Sequence, residues 1–227
     1  AADTLSGASG LRTCTQRISV KSPAGTPCVL AELGRCGAPC DGRQSVDEYS
    51  PGVTAVAELI AGRGGAPLHA AARQLEGLAE AEHFERAARH RDELAGLVRA
   101  VDRAHRLSAL ATIPELVAAG PDGNGGWEFA VIRHGRLASA GVARRGIRPM
   151  PIVEALVASA ETVLPSPGPL FGANGEEVGL LLRWLGRPGV RLVRSATPWA
   201  EPAMAAGSWR SWLDLAANAT MLEQAVG

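Results

Sequence analysis

Residues 28–40 read CVLAELGRCGAPC, which places three cysteines within thirteen positions of a chain that has only four. The fourth, Cys14, stands a short way upstream in LRTCTQR, and no cysteine follows Cys40 in the 227-residue sequence. Clustering of this kind marks a site rather than scattered core thiols. Three chemistries accept the set. A pair of disulfides needs an oxidising compartment, and the N-terminal AADTLSGASG lacks the charged-then-apolar pattern of an export signal. Zinc takes four thiolates, usually from two close-spaced pairs, whereas here only Cys36 and Cys40 form such a pair. An iron–sulfur cluster also takes four thiolates and is wider than one ion, so it suits unevenly spaced ligands on a loop. Spacing alone leaves these readings open.

The rest of the composition sets bounds on partners and compartment. Hydrophobic residues make up 46% and charged residues 20%, enough apolar mass for a buried core under a charged surface. No run of eighteen apolar residues occurs, so the reading is a cytoplasmic chain with no membrane contact. With no initiator Met, the chain is expected to be a processed or excised piece of something longer. Formal net charge is zero and gives no global pull toward nucleic acid. Lys21 is nevertheless the single lysine, set against 22 arginines. Arginine makes planar, bidentate contacts to phosphate, although an Ala- and Arg-rich usage is also what a GC-rich genome produces.

Punctuation residues divide the chain into a cysteine segment at 11–49, a helical region at 50–112, a small α+β subdomain at 123–195 and a helical tail at 196–227. SPAGTP interrupts the first as a turn cluster. In the second, a helix is expected after Ser50-Pro51, with Val53, Val56, Ala57, Leu59 and Ile60 at helical intervals. Pro67 then suits the first turn of a long helical stretch to Leu110, whose apolar period of 3.6 does not say whether it is one rod or a hairpin. IPELVAAGPDGNGG reads as a break. WEFAVIRHGRLASAGVA reads as two strands joined by a tight turn at His134-Gly135, and two helices and the strand GVRLVRS follow. The fold class is therefore α+β, a loop-rich segment and helices leading into a β-β-α-α-β layer. In the tail, Trp209, Trp212, Leu213 and Leu222 are able to share one helix face. Trp199, Trp209 and Trp212 are expected to pack the tail onto that layer, with base stacking as the alternative.

The string LRTC, then PC, then LGRCGAPCDG with DEY after it resembles the central cysteine segment of the excinuclease protein UvrC. All four cysteines match in order and the last three in spacing, while the first gap is longer here. The resemblance implies a [4Fe–4S] cluster on Cys14, Cys28, Cys36 and Cys40, with zinc as the alternative. It continues in LEGLAEAEHFERAARHRDELAGL, residues 75–97, which is similar to the helical-hairpin UVR motif. There Phe84 and Glu85 would sit at the turn, and Arg91 and Asp92 fall in their expected places. These four are the partner-binding candidates, the implied partner being a UvrB-type protein or a second copy of the hairpin. FAVIRHGRLASAGVA is similar, more loosely, to the segment that follows the motif in UvrC.

Both nuclease signatures of that family are missing from the sequence. Tyr49 is the single tyrosine, where a GIY-YIG domain uses paired ones, and after Arg194 there is Asp214 but no histidine for an RNase H-like set. The five histidines, His69, His83, His90, His105 and His134, form no nucleophilic set, and His83 with His90 beside Glu80 and Glu82 is at most a chance pair for a metal. The wording ELGRCGAPC and the Ala/Arg-rich composition look most like the C-terminal half of DEDD-exonuclease/GIY-YIG fusion proteins. That resemblance implies a non-catalytic module of a DNA repair nuclease. Arg12, Arg17, Lys21, Arg35 and Arg43 surround the cysteines and are the DNA-phosphate candidates, with Arg144, Arg145 and Arg148 as a second patch.

Overall fold

The computed structural model describes residues 2–23 and 25–226, with side chains described as far as Met221. The chain forms two compact units, Ala1–Arg103 with Pro202–Gly227, and Ala104–Glu201. Among the described residues no helix is long and apolar enough to cross a membrane.

The first unit is helical. It begins with α1, Ala2–Ser9, and a single turn α2, Val29–Glu32, lies inside the cysteine segment. Helix α3 spans Val46–Ile60 and so begins well before Pro51, which sits inside it. The expected start after Ser50-Pro51 is thus corrected, and the reason is local. Ser45 and Glu48 form a capping box: the Ser45 hydroxyl oxygen accepts from the Glu48 N–H at 3.2 Å, and a Glu48 carboxylate oxygen accepts from the Ser45 N–H at 2.8 Å. Reciprocal capping of two otherwise orphaned donors outranks the proline signal.

Helix α4, Ala66–Glu80, carries Pro67 in its first turn, and α5 runs Phe84–Ala111. The long periodic stretch is therefore a hairpin. Its turn is set by backbone hydrogen bonds: the His83 N–H donates to the Leu78 carbonyl at 2.9 Å and the Glu82 N–H to the Ala79 carbonyl at 3.0 Å. Glu82 has φ of +58°, so a side-chain-bearing residue holds the left-handed position that glycine favours at a helix end. His90 Nε2–H donates across the hairpin to the Ala71 carbonyl at 2.9 Å.

The hairpin alone does not complete a core. Leu59 of α3, Leu68 and Ala71 of α4, and Leu94, Leu97 and Val98 of α5 are joined in one buried cluster by Ala205, Ala206 and Trp209 from the far end of the chain. Those last residues belong to a 3₁₀ turn, Ala205–Trp209, which leads into α8, Arg210–Val226. Trp209 meets Trp212 edge-on with ring centroids 5.6 Å apart, and Arg210 pairs with Asp102 at 2.9 Å. The expectation that the tail tryptophans pack onto the α+β layer is thus corrected for Trp209 and Trp212, which complete the helical core. Trp199 does pack against the sheet unit's core. Leu222, which the sequence places on the same helix face, lies outside the described side chains.

The second unit is an antiparallel four-stranded sheet in the order β3-β2-β1-β4, made of β1 Leu116–Pro121, β2 Trp127–Arg133, β3 Arg136–Ala143 and β4 Arg191–Ser195. Between β3 and β4 lie α6, Pro149–Ser159, and α7, Gly175–Leu185. The α+β class stands. Within it, the break expected over IPELVAAGPDGNGG is corrected, because LVAAGP is a central strand with every residue but Pro121 buried. Such a strand has no polar face to produce alternation. Leu116 and Ala118 join the core with Val178 and Leu181 of α7, and Val117 and Ala119 join the opposite core with Val153 of α6. A short apolar run buried on both faces is invisible to a period-two search. The turn at His134-Gly135 is as expected, with φ of +47° and +73° at its two central residues, the left-handed pair that tight hairpins use.

One charged knot organises this unit. Glu115 accepts from Arg133 at 2.7 Å and also pairs with Arg194, while Arg133 Nη1 donates to the Ala160 and Glu161 carbonyls just past the end of α6. Burial pushes the Glu115 carboxyl up, but hydrogen bonds from both guanidiniums, with their charges, outweigh this and hold it below the usual range. A depressed folded-state pKa contributes stability above the unfolded value that is lost as pH falls through the folded one. Glu115→Gln is therefore expected to cost about 1–2 kcal/mol at pH 7. Thermal melts of both proteins should converge as pH falls below about 4, the unperturbed glutamate range. A second melt tests the hairpin turn: Glu82→Gly, which removes the Cβ at a left-handed position, should raise stability by about 0.5–1 kcal/mol.

Candidate functional site

The cysteines lie on the loop that precedes α3, and the backbone explains their placement. Cys28 stands immediately before α2 and its carbonyl accepts from the Ala31 N–H at 2.8 Å. Gly34, at φ of +67°, ends this turn, and the Arg35 N–H donates back to the Leu30 carbonyl at 2.8 Å. The chain is thereby reversed into Cys36. Ala38 is buried at φ of +54°, and the Gly25 N–H donates to the Cys40 carbonyl at 2.8 Å. A Cβ on Gly25 would lie 2.9 Å from that of Cys40, so the approach needs glycine there. Segments 25–28 and 36–40 are in this way tied to each other. Cys14 is held from the other side, where Arg12 Nη1 donates to its Sγ at 3.3 Å and to the Gln16 carbonyl at 2.6 Å. The hydrogen bond to Cys14 raises the Arg12 pKa further, against the opposing effect of burial.

All four cysteines are free thiols, Cys14 and Cys28 exposed, Cys36 and Cys40 half-buried. Their chemistry fits a thiolate-bound metal group, and two further features fit it. The loop is close-folded around Cys36 and Cys40, and Gln44 Oε1 is buried against Gly37 without a hydrogen-bond partner. Among the described residues, however, no three His, Cys, Asp or Glu side chains converge as a set able to hold a metal ion. The structure brings the cysteine-bearing segments together without gathering the sulfurs.

The basic candidates divide by what they touch. Arg43 pairs with Asp41 at 2.9 Å, and Arg12 is engaged as described. Arg17, Lys21 and Arg35 are exposed. Arg35 and Cys36 line an open groove of about 890 Å³ together with Gln74, Arg86, His90 and Glu93 of the hairpin. The hairpin candidates also divide. Phe84 is 67% exposed and Glu85 is exposed. Arg91 is only 9% exposed and pairs with Asp92 at 2.9 Å, and Asp92 accepts from Thr220 Oγ1 of α8 at 3.3 Å. Helix α8 therefore covers part of the face that the motif alone presents as open. No signal within residues 75–97 reveals that, because the covering helix lies more than a hundred residues later. The capping box at Ser45 has a signal of its own, the S-x-x-E spacing of Ser45 and Glu48, which competes with Ser50-Pro51 for the start of α3.

Residues 1–59 match the UvrC/Cho excinuclease middle domain, and residues 68–100 match the UvrB/uvrC motif. Along 96% of its length the chain is 44% identical to part of the protein named "Putative bifunctional exonuclease/endonuclease protein MT2247" from Mycobacterium tuberculosis. It is 34% identical over 49% of its length to the UvrABC system protein C of Streptomyces coelicolor, and 37% identical over 49% to that of Salinispora arenicola. The chain spans 34% of the mycobacterial protein and 16% of the Streptomyces one. No solved structure matches it. The chain thus carries a UvrC-like middle segment followed by a UVR motif, within a region similar to part of an exonuclease/endonuclease fusion.

Proposed function

We propose that this chain is the non-catalytic, cluster-bearing and partner-binding part of a UvrC-like DNA repair nuclease acting in the cytoplasm. The observation that supports this most is the set of four free thiols inside the segment matching the UvrC/Cho middle domain, directly ahead of the UVR hairpin. Cys14, Cys28, Cys36 and Cys40 would hold a [4Fe–4S] cluster, which supplies four metal–thiolate bonds to a loop with few apolar side chains of its own. Metal binding and folding are coupled in such segments, so the sulfurs need not be gathered before binding. Arg17, Lys21 and Arg35, which have no ion pair among the described residues, are the side chains best placed to meet DNA phosphates, with Arg12 and Arg43 holding the loop's own structure. A second reading is a zinc-stabilised scaffold that docks a UvrB-type protein; the exposed Phe84 at the hairpin tip supports the docking that both readings share, and the close-spaced Cys36 and Cys40 support zinc.

Anaerobic purification followed by absorption spectroscopy and metal analysis separates the two. Broad brown absorbance with about four iron and four sulfide per chain is the expected result. One zinc and no colour would replace the cluster with a structural zinc centre. For the hairpin, Phe84→Ser is expected to weaken association with a UvrB-type partner about tenfold without lowering the melting temperature, since the side chain is exposed. Arg91→Ala is expected to lower the melting temperature instead, because it strips a half-covered ion pair beneath α8. Binding titrations and melts of both variants check this division.

A further inference from the structure

Some arginines of the sheet unit are held by partners within it and others are not. Arg133 and Arg194 are used internally on Glu115, and Arg106 pairs with Glu201. Arg144, Arg145, Arg148 and Arg191 are all exposed, and among the described residues none of them has an ion pair or hydrogen bond from its side chain. Register places three of them along one end of the sheet. Trp127 of β2 pairs with Ala143 of β3, immediately before Arg144 and Arg145. On the other side Trp127 pairs with Pro121 of β1, and Arg191 of β4 pairs with Ala119, two residues from Pro121 on the same face. Arg191 reaches across β1, and its guanidinium carbon lies 6.0 Å from the centroid of the Trp127 ring.

The row thus reads Arg191, Trp127, Arg144-Arg145 across four strands, about 14 Å at a strand spacing of about 4.8 Å. At the outer limit of cation–π range, the Arg191 guanidinium keeps its charge beside the half-buried Trp127 ring, which packs on the core beneath it and leaves its outer part open. Chain direction adds to the positive field. Arg148 precedes the first turn of α6, whose N-terminus receives no side-chain cap. Of the acids on the neighbouring strand and loop, Asp122 accepts from the Asn124 and Gly126 N–H groups of its own loop, and Glu128 accepts from Trp184 Nε1 on the opposite face and lies 4.0 Å from Arg187.

We infer that this end of the sheet is a second nucleic-acid contact, one that receives a single strand. Phosphates meet Arg144 and Arg145, and a base stacks on the Arg191–Trp127 pair. A row with a stacking platform fits an unpaired strand, whose bases are exposed, better than a duplex, which hides them. The inference does not depend on the cluster and stands whether the cysteines hold iron or zinc.

The test uses the whole chain and a fluorescently labelled oligothymidine of about 20 nucleotides, longer than typical single-fold sites. Anisotropy titrations at several salt concentrations compare wild type with the triple variant Arg144→Ala/Arg145→Ala/Arg191→Ala. The variant is expected to bind at least about tenfold more weakly and to lose about 1.4 from the salt slope, about 0.7 for each of the two phosphate contacts on a single strand. Its melting temperature should not change, because all three side chains are exposed. Unchanged affinity and slope in the variant would overturn the inference, as would absence of binding by wild type. An equal loss on a duplex of the same length would overturn the single-strand assignment. Loss of binding only in Arg17→Ala/Arg35→Ala would place the contact on the cysteine segment, and so sink this inference while leaving the proposed function intact.

Discussion

Burial of one indole decides whether the helical unit has a core. Helices α4 and α5 present a narrow apolar stripe between them, Leu68 and Ala71 facing Leu94, Leu97 and Val98. A two-helix hairpin of this size leaves one side of that stripe open to water. Trp209 and Ala206 close it, together with Leu59 of α3, and the Arg210–Asp102 pair fixes the entry of α8. Aromatic side chains bury large areas, so a single tryptophan can supply what several aliphatic residues would otherwise have to. The cysteine loop, which is tied to α3 through the capping box and through the Arg12 N–H to Tyr49 hydroxyl bond at 3.3 Å, rests on the same core at one remove.

Much of this architecture is legible in the residues. The hairpin between β2 and β3 is written in His134-Gly135, the helicity of residues 68–110 in a 3.6 period, and the α+β class in the change from one period to the other. What escapes does so for identifiable reasons. Leu116–Pro121 is apolar on both faces, so alternation cannot show it. Helix α3 starts at a reciprocal cap whose signal competes with a proline that the helix then simply contains. Trp209 and Asp102 are partnered over distances in sequence that no local pattern spans.

The cysteine site is legible in a different way. Its residues stand out by count and spacing, and the backbone shows why the glycines are there: Gly25 lets the chain touch Cys40, and Gly34 turns it toward Cys36. The surrounding arginines are not distinguishable by sequence, because Arg43 and Arg35 look alike until Asp41 is seen to hold one of them. The same distinction separates Arg194 from Arg191 on one short strand. Charge becomes informative about partners only after the internal pairs have been subtracted.

The order in which the two units close follows from where Trp209 lies in the chain. Residues 104–201 contain every strand of the sheet and both of its covering helices, so that unit has all its contacts once Glu201 has been made. The helical unit begins first, yet it waits for residues 205–213 to supply the rest of its core. During synthesis the hairpin therefore stands without the rest of its core for the time the ribosome takes to add about a hundred residues, on the order of 5–20 s at typical rates.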